Sequence, residues 1–312
     1  MFGEIFRQTF GLNSFVAAYH IAVPIILAAI GGSLCHKTGV FNIALEGFMI
    51  IGAFVGVVGS YYLKNPYLGV FSSILAGLVF GFIFSFFALT LKADPTIIGL
   101  GINMFAIGMS TWLCSALWNT PGIFSITGTP LLPSIKTAPI SAIPIINTLF
   151  SGHNLLDVVT LLLIFVSNLF LNRSVLGLQM RAVGGQKEAA ISAGINATQR
   201  QYLGVIFSGI FCAIAGAYVT LSTLGFYNSN MIAGRGFLSF AAVVFSSGNI
   251  LTASFISFIF GITNSFAIRL GSYGIPSQIL SSIPYLFTVI ILFLNAFREL
   301  SKTKLKKTHE PK

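Results

Sequence analysis

Charged residues are scarce in this sequence of 312 residues. Asp, Glu, Lys and Arg make up 8% of it, against roughly 25% in an average soluble domain. Hydrophobic residues make up 55%, and the mean hydropathy is +0.90. Several apolar runs exceed the ~20 residues with which a helix crosses a ~30 Å hydrocarbon core, and extended strand alternation is missing. The scarcity of charge therefore excludes a soluble domain and predicts an all-α, polytopic membrane helical bundle.

Cysteine and recognisable catalytic motifs are scarce as well. Cys35, Cys114 and Cys212 are odd in number and lack metal-ligand spacing, which argues against a disulfide framework and a cysteine zinc site. The sequence has no phosphate-binding Gly-x-x-x-x-Gly-Lys-Ser/Thr, no Gly-x-Ser-x-Gly and no His-Glu-x-x-His. We expect no catalytic residue, no metal site and no cofactor in this chain, and a membrane enzyme is disfavoured.

The charge that is present is mostly positive, with 17 Lys and Arg against 7 Asp and Glu. A basic chain could bind nucleic acid, but these residues lie in short connecting segments and the tail, without an aromatic-rich basic face. Membrane topology explains them better, because segments rich in Lys and Arg stay in the cytoplasm. This rule places segment 172–201 and the tail 298–312 inside and segment 119–154 outside. Four tail lysines are expected to contact anionic lipid: Lys302, Lys304, Lys306 and Lys307.

Apolar runs predict eight to ten transmembrane helices in one domain, residues 1–312. The run 237–247 is too short to cross alone, and its Gly-rich approach indicates a broken or re-entrant helix, tolerated only where protein or water covers the backbone. The two halves of the chain could form an inverted repeat, a common plan in transporters. The runs are 12–34, 39–60, 67–91, 96–118, 155–171, 202–224, 237–247, 252–268 and 282–297.

Four polar residues stand inside or beside these runs and could line a solute path. Asn42 and Glu46 are four residues apart, which places both on one face if the segment is helical. An acid inside a membrane is costly and marks a functional site by default, but Glu46 could equally lie near the membrane face and orient the preceding turn. Asn103 could face a polar solute or hydrogen-bond a neighbouring helix. Arg235, between two glycines, could contact substrate or a partner, or anchor a helix end.

Other residues in the apolar runs are assigned to structural roles within and between helices. His20 is assigned to a packing or interface position, and Asp157 to the first turn of a helix, where its charge suits the helix dipole. Two pairs of glycines, each one helical turn apart, permit close contact between helices: Gly52 and Gly56, and Gly77 and Gly81.

Segment 172–201 contains the pattern of a short surface helix. Residues 186–193 are good helix formers, and Gly194 stops them. The segment is either an ordinary solvated connector or a docking surface. Its core, Glu188-Ala189-Ala190 followed by Gly194, resembles the Glu-Ala-Ala-x-x-x-Gly loop with which membrane subunits of bacterial ATP-binding cassette importers seat a short helix in the cytoplasmic ATPase. The resemblance implies ATPase coupling by five residues: Gly184, Glu188, Ala189, Ala190 and Gly194.

Three further segments resemble the same importers. Residues 39–54 contain the Gly-x-x-Asn-x-x-x-Glu-Gly…Gly-Ala pattern of permeases for simple sugars and nucleosides. Residues 98–103 are similar to their second Asn segment, and residues 234–245 to their Gly-Arg-Gly-Phe…Ala-Ala-Val-Ile-Phe segment. The prolines that often follow the coupling loop and the last segment are missing here. Four matches in order are far more specific than one, and the chain resembles the branched-chain amino acid, ribose and nucleoside permease group.

The resemblance implies a permease subunit of the bacterial cytoplasmic membrane that moves a nucleoside, a purine nucleoside first, or a simple sugar. It implies a second permease in a heterodimer, two ATPase domains that are separate or fused, and an external substrate-binding lipoprotein. ATP is then bound by the ATPase. The path candidates are Asn42, Glu46, Asn103 and Arg235. The rival hypothesis is a secondary transporter driven by an ion gradient, with Glu46 as its proton site.

Single cysteines, in a chain without its native ones, test the predicted orientation. Ser192→Cys and Ser301→Cys should resist a membrane-impermeant thiol reagent in intact cells, because both lie in segments assigned to the cytoplasm. Ser134→Cys should react. Labelling of the Ser192→Cys variant from outside would contradict the orientation.

Overall fold

The computed structural model describes residues 12–125, 128–133, 153–271 and 286. These residues form ten α-helices, two of which end in a π-helical turn, and one two-stranded antiparallel sheet. In chain order the elements are α1 (Leu12–His36), α2 (Leu45–Leu63), α3 (Pro66–Ser85, then the π-turn Phe86–Thr90), α4 (Pro95–Trp118), β1 (Ile123–Phe124), α5 (Leu155–Arg173), α6 (Val175–Gly185), α7 (Lys187–Ser192), α8 (Ala197–Tyr218, then the π-turn Val219–Leu224), β2 (Tyr227–Asn228), α9 (Arg235–Phe245) and α10 (Ile250–Gly271).

Seven of the described helices are long and apolar enough to cross a membrane: α1, α2, α3 with its π-turn, α4, α5, α8 and α10. They correspond to seven of the predicted runs. Helix α9 is shorter, as the run 237–247 predicted. The run 282–297 lies outside the described residues apart from position 286, as do the chain before residue 12 and the basic tail.

Helix α8 lies at the centre of the bundle and packs against α1, α2 and α3. Glycines make this packing possible, because a Cβ at Gly77 of α3 would overlap the backbone carbonyl of Gly209, and a Cβ at Gly52 of α2 would overlap the backbone of Ala213. The close helix contact predicted from the glycine pairs is therefore confirmed. Helices α3, α4 and α5 leave most of their apolar side chains at the periphery of the bundle.

The start of α2 corrects one prediction. The helix begins at Leu45, whereas the apolar run begins at residue 39, so Asn42 and Glu46 do not share a helical face. Gly39 has a positive φ of 77°, and the Asn42 side chain accepts a hydrogen bond from the N–H of Ala44 at 2.9 Å. This side-chain contact offers the backbone an alternative to helix, which delays the helix start.

Segment 172–201 is also more structured than predicted. The short helix expected at 186–193 is present as α7, but a further helix, α6, precedes it. Ser174 starts α6 by accepting a hydrogen bond from the N–H of Gly177 at 2.9 Å. Helix α8 begins at Ala197 and not at residue 202, because Asn196 caps it through the N–H of Gln199 at 3.1 Å.

One element escaped the sequence analysis. In segment 119–154, for which the sequence analysis named no strand, β1 pairs with β2, Ile123 lying opposite Asn228. Phe124 packs edge-on against Trp118 at a ring separation of 4.5 Å and is buried. Two-residue strands carry no readable alternation. Residues 126–127 and 134–152 of this segment lie outside the described residues.

Candidate functional site

The Glu46 carboxylate joins two helices. Glu46 lies in the first turn of α2 and is only 7% exposed. Its Oε1 accepts a hydrogen bond from the N–H of Gly234 at 2.9 Å, and its Oε2 accepts one from the N–H of Gly236 at 2.7 Å. Gly234 and Gly236 flank the first residue of α9, so an acid of one helix caps the N-terminus of another. The free N–H groups and the dipole at that terminus favour a negative charge.

Arg235, the first residue of α9, anchors the approach to this cap. Its Nη1 donates to the carbonyl oxygens of Met231 at 2.7 Å and Ile232 at 3.3 Å, both in the segment that leads to the helix. The positive guanidinium also interacts electrostatically with Glu46. The geometry matches the helix-end anchor that was one of the sequence-based alternatives for Arg235.

Asn103 of α4 holds the start of α2 by hydrogen bonds to its backbone. It is buried, its Oδ1 accepts a hydrogen bond from the N–H of Gly47 at 2.7 Å, and its Nδ2 donates to the carbonyl of Ile43 at 3.1 Å. Both backbone groups belong to the helix start, where intrahelical partners are missing. Asn103 therefore makes the contact to a neighbouring helix that was one of its two predicted roles.

Asn42 places the site inside the bundle. Its Nδ2 donates to Ser208 Oγ of α8 at 3.1 Å. Ser208 comes eleven residues after the first residue of α8, Ala197, which is about 17 Å along the axis at ~1.5 Å per residue. The N-termini of α2 and α9 thus meet well inside the bundle, an arrangement that transporters use to receive solutes and ions.

The four predicted path residues therefore belong to one network. We call Asn42, Glu46, Asn103 and Arg235, with the helix starts that they hold, the junction. Its side-chain bonds go largely to backbone groups of the protein itself. The junction positions the N-termini of α2 and α9 against each other.

Glycine is required at the junction for close approach. A Cβ at Gly236 would lie 2.5 Å from the backbone N and Cα of Glu46, closer than carbon atoms approach without movement of the backbone. Gly234, just before α9, has a φ of 80°, a left-handed conformation that glycine adopts without strain.

Exposed aromatic rings border the junction, and the sequence analysis named none of them. Phe41, next to Asn42, is 43% exposed, and Phe237, next to Gly236, is 40% exposed. Phe41 packs edge-on against Phe240 of α9 with ring centroids 4.9 Å apart. The sequence could have indicated Phe237, since this residue belongs to the Gly-Arg-Gly-Phe pattern. Aromatic faces of this kind can stack on a planar ring.

The structure separates the proposed coupling residues into two groups. Ala190 is buried against Val183 and Ala197, and it holds α7 to α6 and α8. A Cβ at Gly184 would lie 2.9 Å from the N of Gly39, so this glycine serves contact within the chain. Gly184 and the other three proposed residues, Glu188, Ala189 and Gly194, are exposed, so that Ala190 alone of the five is buried.

A large apolar side chain accompanies the exposed coupling residues. Ile191 of α7 is 54% exposed. Helix α7 has only six residues, and Ala190 is its buried residue. Lys187 Nζ donates to Gln201 Oε1 at 3.2 Å, and Gln201 Nε2 donates to the carbonyl of Thr38 at 3.3 Å. Helix α7 is thus fastened to the turn before the junction while one face stays open.

Comparison with known proteins identifies the family. Residues 15–294 match the family described as branched-chain amino acid transport system, permease component. The chain belongs to this family. This membership confirms the resemblance that the four sequence segments indicated, favours an ATP-binding cassette permease over an ion-gradient transporter, and agrees with a multi-pass membrane protein.

Three curated relatives of this permease have informative names. The guanosine ABC transporter permease protein NupQ of Bacillus subtilis is 32% identical over 87% of this chain and 88% of its own length. The Haloferax volcanii protein TsgC13, provisionally named a glucose ABC transporter permease protein, is 28% identical over 91% of this chain and 92% of its own length. A second guanosine permease protein of Bacillus subtilis, NupP, is 24% identical over 87% and 78%.

A methyl group at Gly236 tests the junction. Gly236→Ala should lower the free energy of unfolding by about 1–3 kcal/mol, because the new Cβ forces α9 away from Glu46. Thermal melting in detergent measures this loss. Gly101→Ala in α4 is the matched control, since its Cβ would meet no atom within 4 Å. Equal melting temperatures for the two variants would contradict the close approach.

Proposed function

We propose that this chain is one of two different permease subunits of an ATP-binding cassette importer in a bacterial cytoplasmic membrane, and that it moves a purine nucleoside. The family match over residues 15–294 carries the proposal. Relatives named for guanosine and for glucose make a simple sugar the second candidate solute. The C-terminus lies in the cytoplasm in this proposal, on the side of the basic segments.

The junction favours a polar, uncharged solute. Both oxygens of Glu46 accept backbone hydrogen bonds, and the Arg235 guanidinium donates to backbone carbonyls. A charged solute would have to compete with these contacts. The exposed rings of Phe41 and Phe237 beside the junction suit a planar base, whose stacking on an aromatic side chain contributes ~1–3 kcal/mol in nucleic-acid complexes.

Partner subunits complete the proposed importer. A second, different permease is supported by the two guanosine permease proteins of Bacillus subtilis that both resemble this chain. Exposed apolar side chains on α4, such as Met104 and Phe105, leave surface for this second permease and for lipid. ATP is bound and hydrolysed by two ATPase domains, and an external lipoprotein delivers the solute.

The coupling path runs from α7 to the junction in a few contacts. The open face of α7 meets the ATPase. Motion of α7 and α6 reaches the turn at residues 37–39 through Gly184 and Gln201. Only five residues separate Gly39 from the start of α2, so displacement of this turn moves the junction. Closure of the ATPases would in this way exchange outward-facing and inward-facing states by rigid-body motion.

A larger residue at Gly194 tests the docking role. Gly194 has a φ of 80° and open space around it, and Asn tolerates this backbone conformation. Gly194→Asn should therefore fold normally but crowd the ATPase, lowering ATP-driven uptake in proteoliposomes by about tenfold, the equivalent of ~1.4 kcal/mol of docking.

Gly128→Asn is the matched control for this variant. Gly128 has a φ of 92° and open surroundings, but it lies in segment 119–154, which is assigned to the other side of the membrane. Normal uptake by both variants, with the ATPase still co-purifying, would contradict docking at Gly194.

Uptake of labelled guanosine tests the function itself. The purified importer in proteoliposomes should take up guanosine only with ATP on the ATPase side, and excess adenosine should compete whereas glucose should not. Glu46→Gln should keep this ATP dependence with a reduced rate, because the amide offers one oxygen where the carboxylate offers two. An imposed pH gradient should not change the rate of guanosine uptake by either the wild-type importer or the Glu46→Gln variant.

Asp94→Asn is the control for loss of an acid, since Asp94 is an exposed N-cap and Asn also serves there. Uptake driven by a pH gradient without any ATPase, and lost in Glu46→Gln, would overturn the proposal in favour of a proton-coupled transporter. Competition by glucose and not by adenosine would replace the nucleoside with a sugar.

A further inference from the structure

A second polar cluster lies away from the junction, among residues that are far apart in the sequence. His20 of α1, His153 just before α5 and Asp157 in the first turn of α5 place their ligand atoms within 4.8 Å of one another. The Asp157 Oδ2 atom lies 3.3 Å from His20 Nδ1 and 3.5 Å from His153 Nδ1. In the described part of the chain, this is the one group of three or more His, Cys, Asp and Glu residues with such convergence.

His153 supplies an independent sign that a ligand is missing. The residue is only 8% exposed, and Nδ1 is buried with no hydrogen-bond partner. A buried polar atom without a partner is unfavourable, and native proteins rarely leave one without a reason. The Nδ1 atom is aimed at the Asp157 carboxylate but lies too far from it for a hydrogen bond.

The donor set and its spacing fit a zinc ion. Two imidazoles and one carboxylate are ligands that Zn²⁺ prefers, with bonds of ~2.0–2.2 Å in tetrahedral geometry. Two ligands of such a tetrahedron are about 3.3–3.5 Å apart, which matches the two imidazole-to-carboxylate distances. The two imidazole rings have centroids 4.7 Å apart, and because the ligand atoms are spread over up to 4.8 Å, the side chains would draw together around the ion.

Neighbouring groups already hold the ligands in place. The Tyr218 hydroxyl donates to Asp157 Oδ1 at 2.5 Å, and the N–H of Asn154 donates to Asp157 Oδ2 at 2.7 Å. Tyr19 packs edge-on against His153 and donates its hydroxyl proton to the Asp157 carbonyl at 2.7 Å. His20 Nδ1, which is 2.9 Å from the Tyr218 hydroxyl, would exchange that contact for the metal. Such outer contacts orient metal ligands.

An open cavity borders the cluster. It has a volume of about 640 Å³, lies between α1, α5 and α10, borders His153 and Asp157 and is otherwise lined largely by apolar side chains. It leaves space beside the cluster for a water molecule as the fourth ligand. Three protein ligands with a water molecule in the fourth position make up a four-coordinate zinc environment.

We propose that His20, His153 and Asp157 bind one Zn²⁺ ion at this end of the bundle. The ion would tie α1 to the start of α5, and through the Tyr218 hydroxyl to the end of α8. Without the ion, these segments are held together by packing and hydrogen bonds. The ion would cross-link them and thereby stabilise the folded chain. This inference does not depend on which solute the permease carries.

Direct metal binding tests the site. The full chain, purified without a polyhistidine tag and stripped with chelator, should bind one equivalent of Zn²⁺ in calorimetry and melt at a higher temperature with the ion than without it. Co²⁺ in place of Zn²⁺ should give the visible absorption of a four-coordinate ion with nitrogen and oxygen ligands. His20→Gln and His153→Gln should each weaken binding by at least about tenfold, since losing even an outer-shell partner of a metal costs ~10–100-fold.

His36→Gln and His309→Gln are the matched controls, because they remove the other two histidines of the chain. Both should keep full affinity. Failure of the wild-type chain to bind Zn²⁺, or equal binding by the His20→Gln and His153→Gln variants, would overturn the proposal. Should either variant fold poorly, the Co²⁺ spectrum of the wild-type chain still decides, since a six-coordinate spectrum contradicts the site.

Discussion

The hydrogen bonds between the Glu46 carboxylate and the N-terminus of α9 are the constraint on which the rest of the structure depends. Moving an ionised carboxylate from water into a protein interior costs several kcal/mol unless hydrogen bonds replace the lost water. Here two backbone N–H groups and the dipole of α9 supply that replacement. Helix α9 gains equally, since its free N–H groups find an acceptor inside the bundle. Each partner makes the burial of the other possible.

The sequence could predict features that depend on local pattern, but not those that depend on contacts between distant residues. The spanning helices follow from long apolar runs, and their close packing follows from glycine spacing, so both were readable. The break before Leu45 was readable only as one alternative, a turn that Glu46 could orient, because residues 39–44 are also apolar enough to continue a helix. The local bond from the N–H of Ala44 to Asn42 makes the break, and contacts to distant residues hold it: Asn42 with Ser208 and Asn103 with Ile43. Such tertiary contacts override local preference.

The same limit applied to the other elements that were missed. The β1 and β2 strands have two residues each and become visible only when paired. The cluster joins His20 to His153 and Asp157, which lie more than 130 positions further along the chain. Considered alone, His20 looked like a packing residue and Asp157 like a first-turn acid. For the coupling segment, the pattern predicted α7 and its stop at Gly194. It could not show that Ala190 is buried while Ile191 is exposed, because burial depends on how α6 and α8 enclose the helix.

The scarcity of acids has a structural consequence. All four acids in the part of the chain that the structure describes lie at helix N-termini: Glu46, Asp94, Asp157 and Glu188. At this position in an apolar protein, a negative charge finds unpaired N–H groups. Asp94 caps its own helix at the surface, where the N–H of Thr96 holds the pKa of the carboxyl below its usual range. Asp157 closes a capping box with Asn154 in its own helix. These two caps are local, and an Asn could imitate the first of them.

Glu46 differs from both because the helix that it caps lies 188 residues further along the chain. A local cap fixes only where one helix starts, whereas this one fixes the distance between two parts of the fold. Any movement of the turn at residues 37–39 must therefore either carry α9 along or break hydrogen bonds to a buried charge. Breaking them is the more costly course, since it leaves a carboxylate without partners. In the proposed importer, the junction would consequently transmit displacement as a unit from the cytoplasmic side.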